Sequence, residues 1–216
     1  MSKLFLESLD SNRLVVLKKL TDFKHLGVLG GGTALSLQIG HRGSYDFDIF
    51  IEEKLGSKIW QKAKDVFGKN SIKLLDVEDQ LDLTTPEGIK VTLFHDDYKL
   101  LFKPTENEFV NLMDIKDIAA YKAFIQGRRP KWRDYVDLYF IIKKNYLTLE
   151  KIIELALKKF GNDFSEKLFL EQLVYWDDIN NYEIEFINKN IAPGEIKLFL
   201  ENEVKTFKKK SFSQSL

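Results

Sequence analysis

Residues 30–50 constrain the fold more than any other stretch of the chain. Gly30-Gly31-Gly32-Thr33-Ala34-Leu35 is followed by Gly40-His41-Arg42-Gly43-Ser44 and then by Asp46-Phe47-Asp48-Ile49-Phe50. The apolar run Gly27-Val28-Leu29-Gly30 reads as a short buried strand, residues 33–40 as a helix and 46–52 as a second strand. A strand sends alternate side chains to opposite faces, so Asp46 and Asp48 are expected to project together while Phe47 and Ile49 enter the core. Two such hard oxygen ligands suit Mg²⁺ (or Mn²⁺), which keeps several waters and otherwise binds through one or two carboxylates plus substrate phosphates. The turn at Gly31, Gly32 and Thr33 can bring backbone N–H groups and a helix N-terminus against those same phosphates. Gly32 is expected to be required for close approach or for φ > 0. Metal and phosphate are thus expected to meet at one place.

Taken singly, a glycine turn before a helix and an Asp-x-Asp strand are both commonplace. Their order within one strand–turn–helix–strand unit is far more specific, and it resembles the nucleotidyltransferase superfamily that includes DNA polymerase β. Gly31-Gly32-Thr33-Ala34-Leu35 with His41-Arg42-Gly43-Ser44-Tyr45-Asp46-Phe47-Asp48 is similar, more closely, to the AbiEii/AbiGii-type nucleotidyltransferase toxins. Competing phosphate-binding signatures, G-x-x-x-x-G-K-[ST] and G-x-G-x-x-G opening a long helix, are absent from the sequence.

The resemblance implies an α+β fold, with a polymerase β-like nucleotidyltransferase core of mixed sheet over residues 1–112 and a helical region over 113–216 that completes the active site. It implies a metal-dependent enzyme that moves an NMP from an NTP to an acceptor hydroxyl, with tRNA or another RNA as the acceptor. It also implies a toxin of a toxin–antitoxin or phage-defence system, with a cognate antitoxin as partner. Asp46 and Asp48 would hold the metal, Gly31, Gly32, Thr33 and Ser44 would bind the nucleotide, and Arg42 would neutralise developing charge.

Composition is compatible with this and narrows it. The chain has 33 basic and 33 acidic residues, so any contact with nucleic acid must come from a local patch. There is no cysteine, which excludes disulfides and thiolate metal sites. The apolar run after Met1 is too short for a signal peptide and no stretch reaches the length of a membrane span, so a cytoplasmic protein is expected.

Further along, residues 11–24 and 57–67 carry helical patterns, and the runs 72–77, 81–85 and 89–94 read as strands. From Asp114 the chain turns helical, with Asp114 and Asp117 spaced as a capping pair. Lys122 falls on the apolar stripe of this helix, which is costly unless the ammonium is paired or the stem snorkels. Lys122, Arg129, Asp134 and Asp137 resemble the toxin family's second block, a lysine and an arginine followed by Arg-Asp-x-x-Asp-Leu. Asp134 and Asp137 share a helical face, so one or both are expected to reach Lys122 and hold it toward the phosphates.

One departure stands out. Polymerase β-like enzymes carry a third carboxylate on a later strand, and Thr92 occupies that place in Ile89-Lys90-Val91-Thr92-Leu93-Phe94. Asp96 and Asp97 are expected beyond the strand end, as solvated acids. Helical patterns at 148–160, 164–176 and 194–209 follow, and Lys205 with Lys208, Lys209 and Lys210 forms a basic run that reads as a solvated terminus before it reads as an RNA contact. Two rival functions stay open at this stage: a degenerate protein that binds nucleotide or a partner without turnover, and a small-molecule nucleotidyltransferase of the drug-modifying kind.

Overall fold

A computed structural model describes residues 4–214 of the chain, which divides into two compact units, Met1–Asp114 and Ile115–Leu216. The first unit opens with α1 (Ser11–Lys19), started by Asp10, whose carboxylate accepts from the Arg13 amide. Then follow β1 (Gly27–Leu29), α2 (Gly31–Ile39), β2 (Phe47–Ile51), α3 (Ile59–Phe67), β3 (Ile72–Asp76), β4 (Gln80–Thr84) and β5 (Lys90–His95). The strands form one sheet in the order β1-β2-β5-β4-β3. Only the β2–β5 pair is parallel, so the sheet is mixed and the fold α+β.

The period-2 pattern of the strands decides which face does what. Phe47, Ile49, Leu81, Leu83, Val91 and Leu93 are wholly buried, with Val16, Leu17, Phe23 and Phe67 of the neighbouring segments also in the core. The opposite face carries Asp48, Thr92 and Asp82 at paired positions on adjacent strands. At one end of the sheet the edge is closed by residues 111–113: Leu29 donates to the Asn111 carbonyl at 2.8 Å and accepts from the Met113 amide at 2.9 Å. At the other end β3 is exposed along its length. A bulge between Lys73 and Leu75, and the charges of Lys73 and Asp76 paired at 2.7 Å, are devices that discourage further strands from pairing there.

The second unit is helical: α4 (Ile115–Gln126), α5 (Trp132–Lys143), α6 (Leu149–Phe160), α7 (Glu166–Gln172) and α8 (Pro193–Gln214). Thr148 and Ser165 cap α6 and α7 through their hydroxyls, and proline takes the first position of α8, where its missing N–H costs nothing. The helix expected over 164–176 is shorter than its pattern. The chain leaves it at Leu173, and Trp176 packs instead against Trp132 and Tyr135, with ring centroids 6.3 and 5.0 Å apart.

Asp117, at the third position of the expected cap, also forms an ion pair. Its carboxylate accepts from Lys159 Nζ at 2.9 Å, and both side chains are fully buried. Lys159→Met would take the ammonium away from that buried carboxylate, a loss expected to cost about 3–5 kcal/mol, whereas Lys159→Met with Asp117→Leu should recover most of it. Urea denaturation of the two variants checks this; equal destabilisation of both would contradict the assignment.

Candidate active site

The first unit assembles its polar residues around the start of α2. β1 and β2 are antiparallel with Leu29 opposite Ile49, and the Gly30 amide continues the ladder by donating to the Asp48 carbonyl at 2.9 Å. The glycine turn is therefore pinned to the strand that carries the carboxylates. Gly31 has φ +64°, and a Cβ there would lie 2.7 Å from Asp48 Oδ2. Only glycine lets the backbone turn in this conformation while the carboxylate lies against it. The expected positive φ thus falls on Gly31 and not on Gly32. At Gly32 the constraint is space, since a Cβ would meet Arg42 Nη2 at 2.5 Å.

Gly30, at the N-cap of α2, has no side chain to close that end, and the first amides of any α-helix lack intrahelical acceptors. The turn accordingly places the first N–H groups and the positive end of the helix dipole beside a carboxylate. Thr33 and Ser44 are both buried, and their hydroxyls bond to one another. The Thr33 hydroxyl donates to the Asp46 carbonyl, so its 2.7 Å contact with Ser44 Oγ must be a bond that Ser44 donates. This chain of hydroxyls ties the first turn of α2 to the residue just before β2. Arg42 is also buried, with Nη1 donating to the Gly43 carbonyl at 2.8 Å. Its guanidinium braces the turn from behind, against Gly32.

Asp46 immediately precedes β2 and Asp48 is the second residue of that strand. Both are half-buried, and they alternate with fully buried Phe47 and Ile49, the pattern of one polar and one apolar face. Among the described residues no group of three or more His, Cys, Asp or Glu is placed to hold a metal ion. A cation here would therefore take two carboxylates and complete its shell from water, hydroxyl and phosphate oxygens. Hard oxygen donors beside a cradle that a Cβ would fill fit Mg²⁺ in that mode.

Thr92 stands directly beside Asp48 in the β2–β5 register, and Asp82 stands directly beside Thr92 in the β4–β5 register. Asp82 escaped the reading of the sequence because β4 showed only an apolar alternation there. The signal that finds it is the register, which no local pattern specifies. Its carboxylate accepts from Gln80 Nε2 at 2.8 Å and pairs with Lys90 Nζ at 2.7 Å. Burial pushes the Asp82 carboxyl up, but hydrogen bonds from Lys90, Gln80 and Thr92 and the charge of Lys90 hold it below the usual carboxylate range. Asp96 and Asp97 lie past the end of β5, where Asp97 is exposed and 3.3 Å from His95.

In the second unit, α4 and α5 bring Lys122, Asp134 and Asp137 together. Lys122 Nζ is 2.5 Å from Asp134 Oδ1 and 2.7 Å from Asp137 Oδ2, and all three residues are buried. Of the two arrangements the spacing left open, one carboxylate or both on the lysine, the structure has both.

The model of the nucleotidyl transferase AbiEii toxin family, of type IV toxin–antitoxin systems, matches residues 14–214. The chain belongs to this family. It is 30% identical over 184 residues to the uncharacterised protein aq_aa25 of Aquifex aeolicus (strain VF5), covering 83% of this chain and 86% of that one. Among solved structures, JHP933 from Helicobacter pylori is similar with a TM-score of 0.59 at 17% identity, covering 97% of this chain and 95% of that one. MenT4, a nucleotidyltransferase toxin from Mycobacterium tuberculosis H37Rv, is similar with a TM-score of 0.58 at 15% identity, covering 89% and 81%. At these identities the two structures speak for the fold. Membership of the AbiEii family gives the reaction class: this is a nucleotidyltransferase of a toxin family. Among the described residues no helix is long and apolar enough to cross a membrane.

Proposed function

We propose that this AbiEii-family protein transfers an NMP from an NTP to a hydroxyl of an RNA acceptor, tRNA being the first to test, and releases pyrophosphate. The observation that carries the reading is the Asp48 carboxylate lying against Gly31 at the start of α2. Carboxylate oxygens for a cation and N–H groups for phosphate are then side by side on one rigid turn. Asp46 and Asp48 would hold Mg²⁺ (or Mn²⁺), which when bound supplies Lewis-acid polarisation of the α-phosphate.

The protein's own groups do the rest. The amides of Gly31, Gly32 and Thr33 receive the terminal phosphates, and the Thr33–Ser44 hydroxyl chain keeps Asp46 in register with the turn. Arg42 neutralises developing charge at the nucleotide from its place against Gly32. Lys122 supplies a directed N–H to the triphosphate; the family's second block and the two carboxylates that orient its ammonium support this role. One ammonium against two carboxylates leaves a formal charge of −1, so the contribution comes through that directed bond and not through a net attractive field. The biological reading is a cytoplasmic toxin, counteracted by a cognate antitoxin.

Incubation with each of the four NTPs labelled at the α-phosphate, Mg²⁺ and total RNA tests the proposal. Label in an RNA band with one preferred nucleotide is expected. Label only in a small molecule would favour the drug-modifying kind of transfer, and no label with measurable NTP binding would point to a protein that binds without turnover.

A further inference from the structure

The two carboxylates of the site are held in different ways. Asp48 is the second residue of β2, in register with Thr92, and its carbonyl accepts from the Gly30 amide, so sheet and glycine turn fix it together. Asp46 has no such place. Strand β2 begins at Phe47, and the ladder to β5 begins with Phe47 opposite Val91, which leaves Asp46 just outside it. A side chain in a functional site has to be kept within about 0.5 Å of its working position, so groups other than the sheet must set Asp46.

Two side chains do so, one on each side of its Cα. The Thr33 hydroxyl of α2 donates to the Asp46 carbonyl, which belongs to the peptide that follows. On the preceding peptide, Arg13 Nε of α1 donates to the Tyr45 carbonyl at 3.1 Å. Peptide units are planar, so anchoring the one before and the one after Asp46 leaves little freedom in the φ and ψ between them.

Arg13 is itself arranged to stay in place. Its Nη1 donates to the carboxylate of Asp10, which also accepts from the Arg13 amide at 2.9 Å, and its guanidinium lies over the Tyr45 ring, 4.9 Å from the centroid. One carboxylate thus caps α1 and orients the arginine. An exposed ion pair contributes little stability by itself, but here it aims a planar fork, whose Nε–H then meets a single carbonyl.

We propose that Arg13 is a positioning residue for nucleotidyl transfer: through the Tyr45 carbonyl it fixes the backbone that carries the Asp46 carboxylate, with Asp10 and the Tyr45 ring holding its guanidinium. The inference rests on the proposed metal-dependent reading of the Asp46/Asp48 pair, and it adds a residue that acts through the backbone from outside the ligand set.

The test is Mn²⁺ binding followed by electron paramagnetic resonance with a non-hydrolysable NTP analogue present, with melting temperature and transfer activity measured on the same preparations. Arg13→Met keeps the stem and removes the donors, Arg13→Lys keeps one donor for the Tyr45 carbonyl, and Asp10→Ser keeps a cap on α1 while withdrawing the carboxylate from the guanidinium. Loss of a group that orients a metal ligand typically costs 10–100-fold in affinity, so Arg13→Met should weaken Mn²⁺ about tenfold or more. Arg13→Lys should recover most of that loss, and Asp10→Ser should weaken Mn²⁺ in the same direction by less. The activity lost in Arg13→Met should return in part as Mn²⁺ is raised, which a purely structural defect would not show. Parent-like Mn²⁺ affinity in both Arg13→Met and Asp10→Ser, whatever their melting temperatures, with Asp46→Asn losing it, would overturn this inference and leave the two-carboxylate site standing. Absence of Mn²⁺ binding in the parent protein would remove the metal reading itself, and this inference with it.

Discussion

Asp48→Asn should leave a folded protein that no longer transfers nucleotide. The side chain lies half-buried on the polar face of β2 with its Oδ2 against Gly31, and the strand is held by buried Phe47 and Ile49 on the opposite face. An isosteric amide keeps the shape but loses the charge that a divalent cation needs. The expected loss in kcat/KM is about 10²–10³-fold or more, the scale on which single electrostatic contributions to a transition state are felt. The melting temperature should move by no more than about 2 °C, because substitutions outside the core are worth about half a kcal/mol and a chain of this size converts that to a small shift. Asp46→Asn should behave alike, with the carbonyl that accepts from Thr33 left in place. Substantial activity in the double variant, measured with α-labelled NTP, would remove both residues from the chemistry.

Lys122→Met has a second large effect, of a different kind. The ammonium sits between Asp134 and Asp137, and the substitution leaves two like charges buried with their partner gone. A destabilisation of about 3–5 kcal/mol is expected, the usual result of removing one member of a buried pair. That alone would lower activity by lowering the folded fraction, so catalysis must be read in a background where the charges are balanced. Lys122→Met with Asp134→Asn and Asp137→Asn removes the ion triad together and should recover most of the stability. If Lys122 touches the triphosphate, this triple variant is stable and inactive. If the triad only holds α4 to α5, it is stable and active. Denaturant midpoints and transfer rates on the same preparations separate the two.

The residues that the sequence brought forward were those whose meaning is local. The glycine turn and the Asp46/Asp48 alternation are legible because a turn and a period-2 pattern are short-range, although the positive φ falls on Gly31 and was expected at Gly32, and Lys122 stands out because an ion on an apolar stripe demands a partner. The mixed sheet followed by helices was also legible, since the periodicity changes at Asp114. What remained hidden depends on register between distant segments. Asp82 meets Thr92 only when β4 is laid beside β5, and the pairing of Asp117 with Lys159, forty-two residues later, has no local signature. Arg42 and Thr33 were legible as members of a motif, but their burial was not: the guanidinium lies behind Gly32 and the Thr33 hydroxyl is tied to the Asp46 carbonyl.

The most direct measurement compares one NTP labelled at the α-phosphate with the same NTP labelled at the γ-phosphate, in parallel reactions with Mg²⁺ and an RNA acceptor. Transfer of an NMP by the Asp46/Asp48 site predicts α-label in the acceptor, γ-label in pyrophosphate, and neither in reactions with chelator or with the Asp46→Asn/Asp48→Asn variant. Gamma-label in the acceptor, or α-label transferred equally well by the double variant, would contradict the account.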